Sequence, residues 1–184
     1  MTNSQVDMSS DREALLDAAE RLFYGRGIQS VGMDRLRTES GLSLKRIYAL
    51  YPAKQELVVA FLARRDVRWR GRLFAHARAA DQPLTAVFDW LEQWFGESDF
   101  RGCAWINAYG ELGATSSAVA QAVREHKAAF RADLAGLVAA AGMGDEVVDD
   151  LYLLIEGAIV TAGIVGETAP ARQAKTAAER LLSR

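Results

Sequence analysis

Residues 32–57 read GMDRLRTESGLSLKRIYALYPAKQEL. Two short helical segments flank the break Gly41-Leu42-Ser43. The first is expected from Met33 to about Ser40, with Leu36 turned inward. The second is expected from Ser43, a side chain suited to cap a helix, through Tyr48. Glycine at position 41 lets the backbone turn where a Cβ would clash. Ile47 and Tyr51 point inward, which leaves Lys45, Arg46 and Tyr48 outward. Pro52 stops the second segment, and a longer helix is expected to start near Lys54. A helix of this size fits the major groove of B-DNA, and its first turn reaches base edges first. Lys45 and Arg46 lie in that turn, each able to donate to guanine O6 and N7 or to a phosphate. The Tyr48 hydroxyl suits a phosphate oxygen. Lys54 adds charge at a helix start, where free amides already favour an anion.

Outward from this stretch the chain reads as helix almost throughout, with no segment of period-two alternation. Ser10 followed by Glu13 has the form of a capping box, and Leu15, Ala18, Ala19, Leu22 and Phe23 give the first helix its apolar face. Gly25 and Gly27 end it. A long helix is expected from Lys54 to about Ala80, then others at 83–95 and 103–112, one striped by Val119 to Val138 and ended by Gly142 and Gly144, one at about 145–165, and a last one opened by Pro170. The fold class is therefore all-α: a three-helix helix-turn-helix domain joined by a long helix to an antiparallel helical bundle. The domain division is placed at residues 9–69 and 70–184.

Composition narrows the class further. Half of the 184 residues are apolar and a quarter are charged, as in ordinary globular chains. Residues 1–78 hold 14 Lys and Arg against 9 Asp and Glu (+5), and residues 79–184 hold 8 against 15 (−7). A basic first part suggests that one end meets a polyanion. Cys103 is the one cysteine, so no intrachain disulfide or cysteine zinc cage can form. The first eight residues have no leader-like pattern, and no apolar run reaches membrane-spanning length, so a cytoplasmic chain with no membrane partner is expected. His76 and His126 are the two histidines, and neither sits in a metal-ligand spacing. No P-loop, dinucleotide fingerprint or GxSxG is present. Neither an enzyme nor a metal or other cofactor is expected.

Taken in order, residues 10–57 resemble the tetracycline-repressor (TetR) family of bacterial regulators. The resemblance rests on Ala18, Ala19, Leu22, Phe23, Gly27, Met33, Leu36, Gly41, Leu42, Ser43, Ile47, Tyr48, Tyr51, Pro52, Lys54 and Leu57. It implies an all-α homodimer that binds a palindromic operator and represses until a ligand enters the C-terminal domain. It places Lys45, Arg46, Tyr48 and Lys54 on DNA-contact positions. Met33 and Leu44 fall on the same surface, where they suit thymine methyls. Gly32 and Ala53 depart from the family, which often carries a capping Ser or Thr and a Ser or Asn there.

The sensing half is read from aromatic and apolar patterning. A cavity for a flat apolar or aromatic effector is expected around Trp94, Trp105, Asn107, Tyr109 and His126, with Trp90 at its mouth or in solvent. The helix 145–165 is too apolar all round for one exposed face. Leu151, Ile155, Ala158 and Ala162 are expected at the dimer interface, with burial in the chain's own core as the less favoured alternative. A ligand-independent dimeric DNA-binding protein, or an activator, stays open as the alternative.

Overall fold

The computed structural model describes residues 3–183, so two of the first eight residues read for a leader pattern lie outside the described residues. Every regular element among them is helical: α1 (Asn3–Ala19) running into one π-helical turn (Glu20–Tyr24), α2 (Met33–Ser40), α3 (Leu44–Leu50), α4 (Lys54–Ala79), α5 (Pro83–Phe95), α6 (Ala104–Leu112), α7 (Ser117–Ala140), α8 (Glu146–Val165) and α9 (Ala169–Leu182). The punctuation read from glycine and proline matches these bounds. Ser10 is the exception. It lies inside α1, because no glycine or proline between residues 3 and 9 takes the chain out of helix before it. A capping box needs that exit.

Packing groups the chain into two compact units: residues up to 65 with 104–124, and 66–103 with 125–184. The division drawn from the sequence at residue 69 follows chain order, whereas packing draws α6 and the start of α7 into the first unit. The first core is built from Leu15, Leu22 and Phe23, Leu36, Ile47, Leu57, Phe61 and Leu62, closed by Trp105, Ala108 and Val119. Phe23 and Phe61 meet edge to face at 5.9 Å. Arg64 binds Glu13, Asp17 and Glu20 at 3.1, 2.8 and 2.9 Å and so ties α4 to α1. Arg65 adds Glu20 at 2.8 Å and lies 3.8 Å over the Tyr24 ring.

Trp69 organises the second unit. Its ring meets Trp90 at 5.6 Å, Trp94 at 5.4 Å, His126 at 5.8 Å and Phe130 at 5.2 Å, edge-on in each case. Trp90 stacks on Trp94 and is buried, which corrects the expectation that it faces a pocket mouth or solvent. On α9, Ala171, Ala174 and Ala178 pack inward, and that helix lies on α5 and α8. Lys175 bonds to Asp89 at 2.6 Å, and Arg172 pairs with Glu92.

Beside the tryptophans, Asp66 accepts from the His126 ring at 2.5 Å and from Arg70 at 2.7 Å, and Arg70 also reaches Asp133. Burial pushes the Asp66 carboxyl up, but the hydrogen bonds and charges of His126 and Arg70 outweigh it and hold the group at about 2, below its ordinary 3.8. Burial pulls His126 down against the pull of Asp66. A carboxyl depressed in the folded state contributes stability above its unfolded pKa and loses it as pH falls through the folded value. Urea titrations should therefore show the parent losing about 2 kcal/mol more than Asp66→Asn between about pH 5 and pH 2. Parallel curves for the two proteins would refute this.

Candidate nucleic-acid interface

The turn between α2 and α3 has the geometry that its glycine permits. Gly41 adopts φ +73°, and its N–H donates to the Arg37 carbonyl at 3.1 Å. Ser43 then caps α3, its hydroxyl accepting the Arg46 N–H at 3.2 Å. Gly32 begins α2 in extended geometry with no side-chain cap, as expected from its departure from the family pattern. Ile47 and Leu50 are buried, Tyr51 nearly so, and the Arg12 guanidinium lies 5.6 Å over the Tyr51 ring. Burial pushes the Tyr51 phenol up, opposed by Arg12.

The six proposed contact residues differ in availability. Lys45 is exposed, and Tyr48 is 46% exposed. Met33 and Leu44 are half-buried. Arg46 is half-buried, and its Nε donates to Asp11 of α1 at 2.5 Å. Lys54 turns inward: Nζ donates to the Ile28 carbonyl at 2.6 Å and lies 5.7 Å from the Phe23 ring centroid. Burial pulls its ammonium below the usual lysine range, opposed by the Glu111 carboxylate. Two of the cations read as DNA contacts thus hold the domain together in the unbound chain.

Glu111, from α6, has no local sequence signal. Its Oε1 accepts the Ile28 N–H at 2.8 Å and its Oε2 the Gln29 N–H at 2.7 Å. The Gln29 side chain donates back to the Glu111 carbonyl at 2.5 Å. The carboxylate so fixes the loop that leads into α2. Gly27 makes room for it, with φ +85° and space for a Cβ only 3.4 Å from both carboxylate oxygens.

Of the five residues proposed for an effector pocket, Trp94 and His126 belong to the second unit and Trp105, Asn107 and Tyr109 to the first. Trp94 and His126 are buried in the second unit, in the aromatic cluster and against Asp66. Trp105 is buried in the first unit, while Asn107 and Tyr109 are exposed on α6. A cavity of about 370 Å³ does open in the first unit, and of the five only Asn107 lines it.

The expected interface residues are also corrected. Leu151, Ile155, Ala158 and Ala162 are at most 5% exposed and belong to the core of the second unit. The apolar residues that α8 leaves exposed are Leu153 at 67%, Val160, Ile164 at 79% and Val165. Among the described residues no group of His, Cys, Asp and Glu could hold a metal ion, and no helix is long and apolar enough to cross a membrane.

The family model for bacterial regulatory proteins of the tetR family matches residues 15–61, from α1 to the first turns of α4. The chain is similar to a TetR-family transcriptional regulator from Streptomyces coelicolor, with 28% identity, a TM-score of 0.85 and 95% of both chains covered. It shares the fold of a TetR transcriptional regulator from Chloroflexus aurantiacus (21% identity, TM-score 0.80, 97% of this chain and 96% of that one). It also shares the fold of Escherichia coli NemR in its reduced form (20%, 0.79, 92% and 96%). Comparison with curated protein sequences found no match.

Removing the Glu111 carboxylate leaves two loop amides without their acceptor. Glu111→Ala is expected to lower the unfolding free energy by about 1–2 kcal/mol. Amide exchange at Ile28 and Gln29 should accelerate, while Tyr51 N–H, bonded to Ile47, keeps its protection. Unchanged exchange at Ile28 would show that the carboxylate does not hold the loop.

Proposed function

We propose that this TetR-family regulator binds a palindromic DNA operator as a homodimer, with α3 of each protomer in the major groove, and represses until a small effector releases it. DNA-binding regulation is the activity of its family. The observation that carries the reading here is the presentation of Lys45 and Tyr48: α3 is capped by Ser43, buried along Ile47 and Leu50, and turned so that these two side chains face outward. Lys45 is placed for guanine or phosphate, Tyr48 for phosphate, and Met33 and Leu44 for apolar contact with thymine methyls. Arg46 and Lys54 already donate to Asp11 and the Ile28 carbonyl, so they join the contact with their remaining N–H donors or by giving up those bonds.

The dimer is assigned to the outer face of α8, at Leu153, Val160 and Ile164. Small exposed Gly157 and Thr161 on the same helix permit close approach of a mate. A two-fold pair places two recognition helices on half-sites about 34–36 Å apart. An effector releases DNA by preferring a conformer that departs from this spacing; equal affinity for both conformers shifts nothing. The self-packed tryptophans favour a second reading, in which the second unit only dimerises. A thermal-shift screen with apolar and aromatic compounds, followed by DNA release, separates the two.

Selection of bound duplexes from random DNA supplies the operator. Lys45→Ala should then weaken binding by about 1–3 kcal/mol and relax the preference at one base pair of each half-site, or lower the salt slope by about 1 if the contact is to phosphate. Parent-like binding at moderate salt would sink the interface. Leu153→Asp with Ile164→Asp should shift sedimentation from dimer to monomer. Leu151→Ala should instead cost about 2–5 kcal/mol of folding stability. A dimer that survives both charges refutes this face.

A further inference from the structure

The cavity of the first unit lies between the π turn, α4 and α6. Phe23, Ile28, Phe61 and Ala108 form apolar walls, and Asn107 and Glu111 bring polar groups to it. We propose that it is a binding site for a small neutral molecule with an apolar, flat body and one hydrogen-bond donor. Three observations carry this. The volume, about 370 Å³, falls at the small end of ligand pockets, which admits a compact molecule and excludes a peptide helix. The walls are aromatic and aliphatic, so burying an apolar body there removes it from water. The polar side is acceptor-rich. Glu111 uses one site on each carboxylate oxygen for the Ile28 and Gln29 amides, and a carboxylate has about four such sites. The remaining ones suit a donor. No lining residue is cationic, and the Lys54 ammonium behind Ile28 and Phe23 is already held by the Ile28 carbonyl, so the charge on the cavity wall itself is that of Glu111.

The site touches the DNA-reading domain directly. Gly27 and Ile28 line it, and Ile28 carries both the amide held by Glu111 and the carbonyl held by Lys54. A ligand that draws on Glu111 competes for the carboxylate that fixes the approach to α2. This consequence rests on the regulator reading; occupancy of the cavity does not.

Indole, indene and benzoate test the chemistry: a donor-bearing bicycle, its near-isostere without the N–H, and an aromatic anion. Calorimetric titration of the full-length protein should give binding with indole, binding at least about ten-fold weaker with indene, and none with benzoate. Gly110 lines the cavity, and a Cβ there meets nothing within 4 Å. Gly110→Leu should fill the space and weaken indole binding at least about ten-fold. Its melting curve reports whether it folds. Asn107→Leu, at an exposed position, provides a second variant and should reduce the preference for indole over indene. A crystal soaked in indole should place the ring in the cavity, against the wall of Phe23, Phe61 and Ala108. Absence of indole binding overturns the proposal. So does equal binding of indene, binding of benzoate, parent-like affinity in folded Gly110→Leu, or indole found elsewhere. The titration contains no DNA, so failure to bind DNA would sink the regulator reading alone.

Discussion

The carboxylate of Glu111 bonds to two backbone amides that lie more than eighty residues away in sequence. The segment from Gly25 to Gly32 is short of side chains that could satisfy these groups locally. An ionised acceptor forms stronger hydrogen bonds than a neutral one, so a distant glutamate can hold a loop that its own sequence does not. The loop sets where α2 begins. The left-handed Gly41 and the Ser43 cap then set where α3 begins, and the buried Ile47 and Leu50 set which face it shows. The first unit is discontinuous in sequence because this dependence runs through α6.

Much of this architecture was legible from local chemistry. Gly41, Ser43, Pro52, Pro83 and Pro170 act within a few residues of themselves, and the elements they bound were found where they were expected. Ser10 misled because a cap depends on the residues before it, and those continue the helix. The inner and outer faces of α8 could not be told apart from sequence. Leu151, Ile155, Ala158 and Ala162 form one helical stripe, and Leu153, Val160 and Ile164 form another nearly as apolar. Which one meets the core is decided by α5 and α9. Trp90 misled for a related reason: composition counts rings, whereas which ring reaches solvent is decided by packing, here by its stacking on Trp94. Glu111 and Asp11 carried no signal at all, since their partners are defined by folding.

The internal tasks of Arg46 and Lys54 shape the electrostatics of the proposed interface. Each cation already has an oxygen partner, so an approaching phosphate competes with it for the charge even where other N–H donors remain. The net gain is reduced accordingly, and a full exchange of partners would free α1 at Asp11 and the loop at Ile28. Lys45 and Tyr48, which carry no such task among the bonds described, give contact without that exchange. Affinity and internal order of the domain are therefore coupled through the same two side chains.

The outward stripe on α8 bears on how such a regulator would respond to its own abundance. A lone chain leaves Leu153, Val160 and Ile164 wet, and on the proposed pairing only two chains together can span both half-sites. When the chains are scarce, the paired form grows with the square of their concentration. Operator occupancy then rises more steeply than the amount of protein made, and dilution by growth lowers it more steeply too. A hydrophobic stripe about three turns long would in this way make the production rate of the protein an input to the switch, alongside any molecule that it binds.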